Sequence, residues 1–279
     1  MTRRYVIPAL LMTFVILLAV PALAQGQGQG QGKDKWDSYY DTFSEKWLDP
    51  AKWIPSGPNA TSGTILECVR EIQDGRLRLE ARNIGDTSSD SGFQYSDNDV
   101  RFTNPNEINS ITVDVTLGRV NVVGCPTNDG QPTTTVVKIT GTFFNTGSGL
   151  PEDDVWNDLY FWVDTTNPEN MIVGDWVGRL NLGADLGTYP IGTTLTVTNS
   201  WDKENHQFVS VVMIKGHPKS AKRVAVPYDP ILGTTPPANP MRLFNNMLYS
   251  ANCSSVQTFA EVEAFFDNVK INDAPPPTP

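Results

Sequence analysis

Ile111-Thr112-Val113-Asp114-Val115-Thr116-Leu117 alternates without a fault, apolar at the odd positions and polar at the even ones. A side-chain period of two belongs to an extended strand with one face on a core and the other in water. Val137-Lys138-Ile139-Thr140-Gly141-Thr142-Phe143 repeats the alternation, with Gly141 as its weak point. So does Leu77-Arg78-Leu79-Glu80-Ala81, directly after the turn pair Asp74-Gly75. Further strands are predicted over Ile65–Ile72, Asp158–Asp164, Met171–Leu182, Thr194–Trp201, Gln207–Ile214 and Thr258–Asn272. No segment keeps a 3.6-residue period for three turns, although Ser44–Trp53 has room for a turn that Pro55 would end. The 22 glycines and 21 prolines fall mostly between these strands and punctuate them. Many strands separated by turn residues predict an all-β, two-sheet antiparallel jelly-roll sandwich. Gly216 to Pro240, with its six prolines, reads as a long functional or mobile loop.

Outward from this core the chain changes character. Arg3 and Arg4 precede an apolar run from Tyr5 to Val20, and Ala22-Leu23-Ala24 supplies the small residues a signal peptidase accepts. Pro8, Thr13 and Pro21 interrupt a run already short for a membrane span, so residues 1–24 read as a cleaved secretory signal. Four Gln-Gly pairs then form a leader within 25–35 that offers no side chains to a core. The folded domain is expected over 36–273, followed by a proline-rich tail at 274–279. The expected location is secreted or periplasmic, with no membrane span in the mature chain.

The net charge of −10 becomes −12 once Arg3 and Arg4 leave with the signal. An acidic surface repels phosphate backbones, and no basic cluster offsets it, so nucleic acid is a poor partner. Lys215 to Arg223, the densest basic stretch, reads as a solvated loop. Export permits a disulfide, and three cysteines leave at least one unpaired. Cys125 with Cys253 is favoured because both lie in loop-like stretches while Cys68 sits in an apolar run. Three buried thiols is the other open reading. The wide spacing argues against a structural zinc site. H-E-x-x-H, G-x-S-x-G, phosphate-loop and C-x-x-C signatures are all missing, and only His206 and His217 are available, both beside predicted turns.

Three short motifs bracket the domain: Tyr40-Asp41-Thr42-Phe43…Leu48-Asp49-Pro50-Ala51-Lys52-Trp53, Asp74-Gly75-Arg76-Leu77-Arg78-Leu79, and Phe265-Phe266-Asp267-Asn268-Val269-Lys270-Ile271. They resemble the first strand, a hairpin and the closing strand of concanavalin A-like lectin/glucanase jelly rolls, the superfamily that includes laminin-G-like domains. The resemblance implies two antiparallel sheets, one concave, and in many members sugar on the concave face and a structural calcium ion. For calcium it points to Asp41 and Asp267. The family's hydrolases carry Glu-x-Asp-x-x-Glu on one strand, and this chain lacks it. Glu261-Val262-Glu263 alternates correctly but has no third acid.

The candidate ligand site is Asp158-Leu159-Tyr160-Phe161-Trp162-Val163-Asp164. On a strand, Asp158, Tyr160, Trp162 and Asp164 share one face. Aromatic rings there would stack on sugar C–H faces while carboxylates accept hydroxyl hydrogens. Asp158 and Asp164, about 20 Å apart at a strand's rise per residue, are too distant for a glycosidase pair. The other reading makes this a second buried face, with Tyr160 and Trp162 in the core. Trp176 and Trp201 would extend the platform from neighbouring strands. Trp36, Trp47 and Trp53 are expected to seal one end of the sandwich. Asp86, Ser88, Asp90 and Asp97 share a predicted loop, but its glycine, Gly92, is misplaced for an EF-hand. Glu152-Asp153-Asp154 reads as an exposed turn.

These readings converge on a secreted, non-catalytic carbohydrate-binding or adhesive protein acting on an extracellular polysaccharide. The alternatives are an extracellular polysaccharide hydrolase or lyase, or a matrix protein with no small ligand. Asn59-Ala60-Thr61 and Asn252-Cys253-Ser254 are glycosylation acceptors only in a host that modifies them.

Overall fold

A computed structural model describes residues 39–60, 66–128, 133–163 and 167–273. The predicted signal, the Gln-Gly leader, Trp36, Thr61, Asp164 and the proline-rich tail lie outside them. Among the described residues the chain forms β1 (Trp53–Ala60), β2 (Leu66–Gln73), β3 (Arg76–Ile84), β4 (Phe93–Phe102), β5 (Ser110–Val123), β6 (Thr134–Asn145) and β7 (Asp154–Val163). There follow β8 (Asn170–Val177), β9 (Leu182–Pro190), β10 (Thr194–Asp202), β11 (Gln207–Ile214), β12 (Lys222–Pro227), β13 (Arg242–Ala251) and β14 (Phe259–Ile271). Every pairing is antiparallel. One seven-stranded sheet runs β1-β4-β13-β6-β7-β8-β9 and the other runs β12-β11-β10-β5-β14-β3-β2. The fold is the all-β two-sheet jelly roll that the alternation predicts.

The alternation in β5 translates directly. Ile111, Val113, Val115 and Leu117 are buried between the sheets, against Leu77, Leu79, Phe244 and Phe266 in the common core. Thr112 and Thr116 face outward and meet Thr198 and Thr194 across the strand at 2.9 and 2.8 Å. On β14, Glu261 and Glu263 also face outward, where Arg82, Arg119 and Arg78 hold them at 2.9, 2.8 and 2.7 Å. This pair belongs to an ion-pair lattice on the second sheet's outer face. Such partly exposed pairs are each worth under about 1 kcal/mol.

Several expectations need correction. Met171–Leu182 is two strands, because Arg179 and Asn181 adopt positive φ (53° and 54°) and turn the chain between β8 and β9. Gly216–Pro240 is not all loop: it contains a short 3-10 turn at Pro218–Ser220 and the edge strand β12, so Lys222 and Arg223 lie on a strand. Trp53 is buried against Tyr40, Phe43, Phe102 and Phe244 and seals one end, but Trp47 is 75% exposed. Asp154 is buried rather than part of an exposed turn. It accepts from the backbone of Ala238 and Asn239, both at 2.8 Å, and from Asn145 at 2.9 Å, pinning the segment before β13. Cys125 and Cys253 form a disulfide, whereas Cys68 is free and exposed on β2.

The interior also holds polar groups. Asp175 on β8 accepts from the Ser210 hydroxyl and from Asn157 at 3.2 Å, and among the described residues it is in no ion pair. Burial, only partly offset by those two bonds and reinforced by Asp158, pushes its carboxyl up to about 6. A carboxyl raised from an unfolded value of about 3.9 favours the protonated fold. Stability should therefore fall as pH rises through about 4 to 6, by about 3 kcal/mol in all. Asp175→Asn keeps an acceptor for Ser210 and Asn157 while removing the ionisable group. The variant is expected to melt higher than wild type above pH 7 and to lose most of the pH dependence. Parallel melting curves from pH 4 to 8 would contradict this.

Candidate functional site

The first sheet's outer face carries the site. Core-facing positions on its strands are Val100 and Phe102, Phe244 and Leu248, Val137 and Ile139, Leu159 and Phe161, and Met171 and Val173. The alternate residues therefore face away from the core. Register aligns them into rows across β4, β13, β6, β7 and β8. One row is Arg101, Leu243, Thr140, Asp158 and Trp176; the next is Asp99, Asn245, Lys138, Tyr160 and Gly174. A third is Asp97, Met247, Val136, Trp162 and Ile172. A groove follows the β4, β13 and β6 part of these rows as far as Asp158 on β7, with Pro151 and Asn239 also in its lining. Tyr160, Trp162 and Trp176 are on the same face but outside that lining.

Tyr160 and Trp162 are thus outside the core, which overturns the buried-face reading. Trp162 is 38% and Trp176 41% exposed, unusual for side chains so apolar. Glycines on β8 and just beyond it make room for their neighbours. A Cβ at Gly174 would collide with the Tyr160 ring, and one at Gly178 with the Trp156 indole. Tyr160 and Trp156 consequently lie across the sheet. Tyr95 on β4 and Tyr249 on β13 add a ring pair 5.3 Å apart.

Between the rings sit charges in fixed pairs. Lys138 Nζ donates to Asp158 Oδ2 at 2.8 Å. Arg101 donates through Nε and Nη2 to Asp99 Oδ2, each at 3.3 Å. Tyr95 Oη donates to Asp97 Oδ2 at 3.0 Å, and Asn59 N to Asp97 Oδ1 at 3.1 Å. Burial, assisted by Asp97, raises the Tyr95 phenol; burial raises Tyr160 and Tyr249 as well. All three stay protonated at neutral pH, suited to donating hydrogen bonds and poorly suited to taking protons. Both histidines lie away from this face, His206 in the β10–β11 turn and His217 after β11.

Of the residues singled out in the sequence, Asp158, Tyr160, Trp162 and Trp176 share the face. Trp201 does not. It lies on β10 in the other sheet, stacks on Phe144 at 5.3 Å and donates its indole N–H to Tyr228 at 3.0 Å. Asp97, Asp99, Arg101, Lys138, Asn245 and Tyr95 were not anticipated as site residues. Lys138 was legible, as an outward position of an alternating strand. Asp97 is on β4 rather than in a loop with Asp86, Ser88 and Asp90.

Asp41 and Asp267 do not form a shared cation site. Asp41 pairs through its backbone with Val269, but its carboxylate accepts from Trp53 Nε1 at 2.7 Å and Phe43 N at 2.8 Å. The Asp267 carboxylate faces Asn268 and Asp114, and Lys215 bridges to Asp114 at 2.8 Å. The two carboxylates serve different neighbours, so the donor set does not fit a calcium ion held between them. Among the described residues, three metal-ligating groups converge only at Asp90, Cys125 and Cys253, and both sulfurs there are spent on the disulfide.

Neither family models nor curated proteins match this chain. Similar solved structures include the basic winged bean lectin with Tn-antigen, at 12% identity and TM-score 0.34, covering 80% of this chain and 100% of that one. The alginate lyase Aly36B has 14% identity and TM-score 0.34, over 72% of this chain and 81% of that one. A xylan β-1,4-xylosidase from Bacillus halodurans C-125 has 12% identity and TM-score 0.37, over 86% of this chain and 41% of that one. No helix among the described residues is long and apolar enough to cross a membrane. The likenesses are low and concern architecture alone; strand order and register make this chain a two-sheet antiparallel jelly roll.

Proposed function

We propose that the chain is a secreted, non-catalytic carbohydrate-binding protein that lays an extended glycan across the outer face of its first sheet. The observation that carries the reading is the placement of Tyr160, Trp162 and Trp176 on one outward face, one in each of three successive rows, with both indoles exposed and with carboxylates, amides and protonated phenols on the same face. Flat apolar rings beside polar groups match a sugar, which has C–H faces and a hydroxyl rim. The Cys125–Cys253 disulfide suits an oxidising compartment, as does the signal-like start of the chain. Support for a binding role over catalysis comes from the same geometry. Asp158 and Asp99 are tied to Lys138 and Arg101, the phenols are raised, and the histidines are elsewhere.

Native gels containing soluble polysaccharides test this directly. One glycan is expected to retard the protein, and Trp162→Ala to weaken retention about tenfold or more, the loss of one central aromatic anchor. Prolonged incubation with that glycan should release neither reducing ends nor unsaturated products. Release of either would make the face an active site, and retardation by no glycan would sink the proposal.

A further inference from the structure

The groove floor contains acceptors with nothing to accept. Asp99 is 2% and Asn245 8% exposed, and they are register neighbours on β4 and β13. The Oδ1 atom of each is buried and unpartnered, and both residues line the groove. Arg101 occupies only the other oxygen of Asp99. A buried oxygen left without a donor costs roughly 1–3 kcal/mol, so a ligand that supplies a donor there recovers that cost. Charge points the same way. Asp97, Asp99, Asp154 and Asp158 face the groove against Arg101 and Lys138, and each cation is already tied to an acid.

Given the glycan-binding role proposed above, we infer that this groove selects glycans rich in hydroxyl or ammonium donors and free of acid groups, and turns away polyuronates. The Asp99–Asn245 pair is the subsite that reads the donor. A uronate carboxylate would bring another acceptor to orphaned acceptors and another negative charge to a net-negative cleft. Both penalties act within a few ångströms, shorter than the roughly 8 Å over which physiological salt screens charges.

The unaltered chain is titrated by calorimetry with neutral glucan, mannan, galactan and xylan oligomers, with chitosan oligomers, and with alginate and polygalacturonate oligomers of matched length. The best neutral or amine-bearing ligand is expected to bind at least about tenfold tighter than either polyuronate. Asp99→Asn, with folding checked by its melting curve, should weaken that ligand about tenfold, the loss of one charge-assisted hydrogen bond. A polyuronate binding as tightly as the best neutral ligand would overturn the selectivity while leaving the glycan role in place. Unchanged affinity in folded Asp99→Asn would overturn the subsite. Binding of none of the oligomers would remove the glycan role and this selectivity together.

Discussion

Cys125→Ser/Cys253→Ser is expected to lose about 4–5 kcal/mol of unfolding free energy. The bridge joins residues 128 positions apart, tying the loop after β5 to the loop after β13. In the chain-entropy account, a cross-link stabilises by shrinking the unfolded ensemble, and a loop of this length is worth that amount. The surrounding loops have their own bonds: Asn128 Nδ2 donates to Asn252 O at 2.7 Å and Gly92 O at 3.0 Å, and Ser254 N to Asp90 at 2.8 Å. The native geometry should therefore persist in the variant, leaving the unfolded state to carry the change. Urea titration of both proteins measures it through the midpoint. A shift equivalent to less than about 1 kcal/mol would show that the bridge constrains little the fold does not already hold.

Trp53→Ala should cost about 4 kcal/mol, within the range for deleting a buried aromatic. Trp53 sits 4.4 Å from the Phe102 ring centroid and 5.5 and 5.6 Å from Phe43 and Phe244, so truncation opens a cavity no neighbour can fill without losing its own contacts. Phe244 in turn stacks on Phe266 of the opposite sheet at 4.6 Å, which carries the damage across the sandwich. The indole N–H is also the donor to Asp41. Trp53→Phe separates the two losses: it keeps most of the ring and forfeits the hydrogen bond, for about 1–2 kcal/mol. Equal destabilisation by both variants would mean the bond to Asp41, rather than packing, dominates.

How much of this was legible depended on which strands bury an apolar face. β5, β3 and β14 alternate cleanly because one side meets the core, and their outward residues advertise the period. β1 was hidden by Pro55 and Pro58 within Trp53–Ala60, tolerable because it is an edge strand. β4 and β13 were hidden for a different reason. Their inward faces include Ser96, Asn98, Asn246 and Ser250, of which the last three bond across to the second sheet: Asn98 to Val69 O at 2.9 Å, Asn246 to Leu79 O at 2.9 Å and Ser250 to Asn83 O at 3.0 Å. With polar residues on both faces, Phe93–Phe102 and Arg242–Ala251 have no hydrophobic period to read. The site suffered accordingly. Tyr160 and Trp162 could be placed on one face from β7 alone, but Asp97, Asp99, Arg101 and Asn245 sit on the two illegible strands. Trp201 went astray because nothing local says which sheet β10 joins.

Three exposed indoles among the described residues, two on the proposed face and one off it, make the binding face directly measurable. Trp47, Trp162 and Trp176 are all exposed, and only the last two lie on the first sheet's outer face. Mild oxidation with N-bromosuccinimide, read by peptide mass spectrometry with and without a retained glycan, compares them in a single sample. Protection of Trp162 and Trp176, with Trp47 oxidised at its unliganded rate, is the result this account predicts. Equal oxidation of Trp162 and Trp176 with and without saturating glycan would place the ligand elsewhere and contradict it.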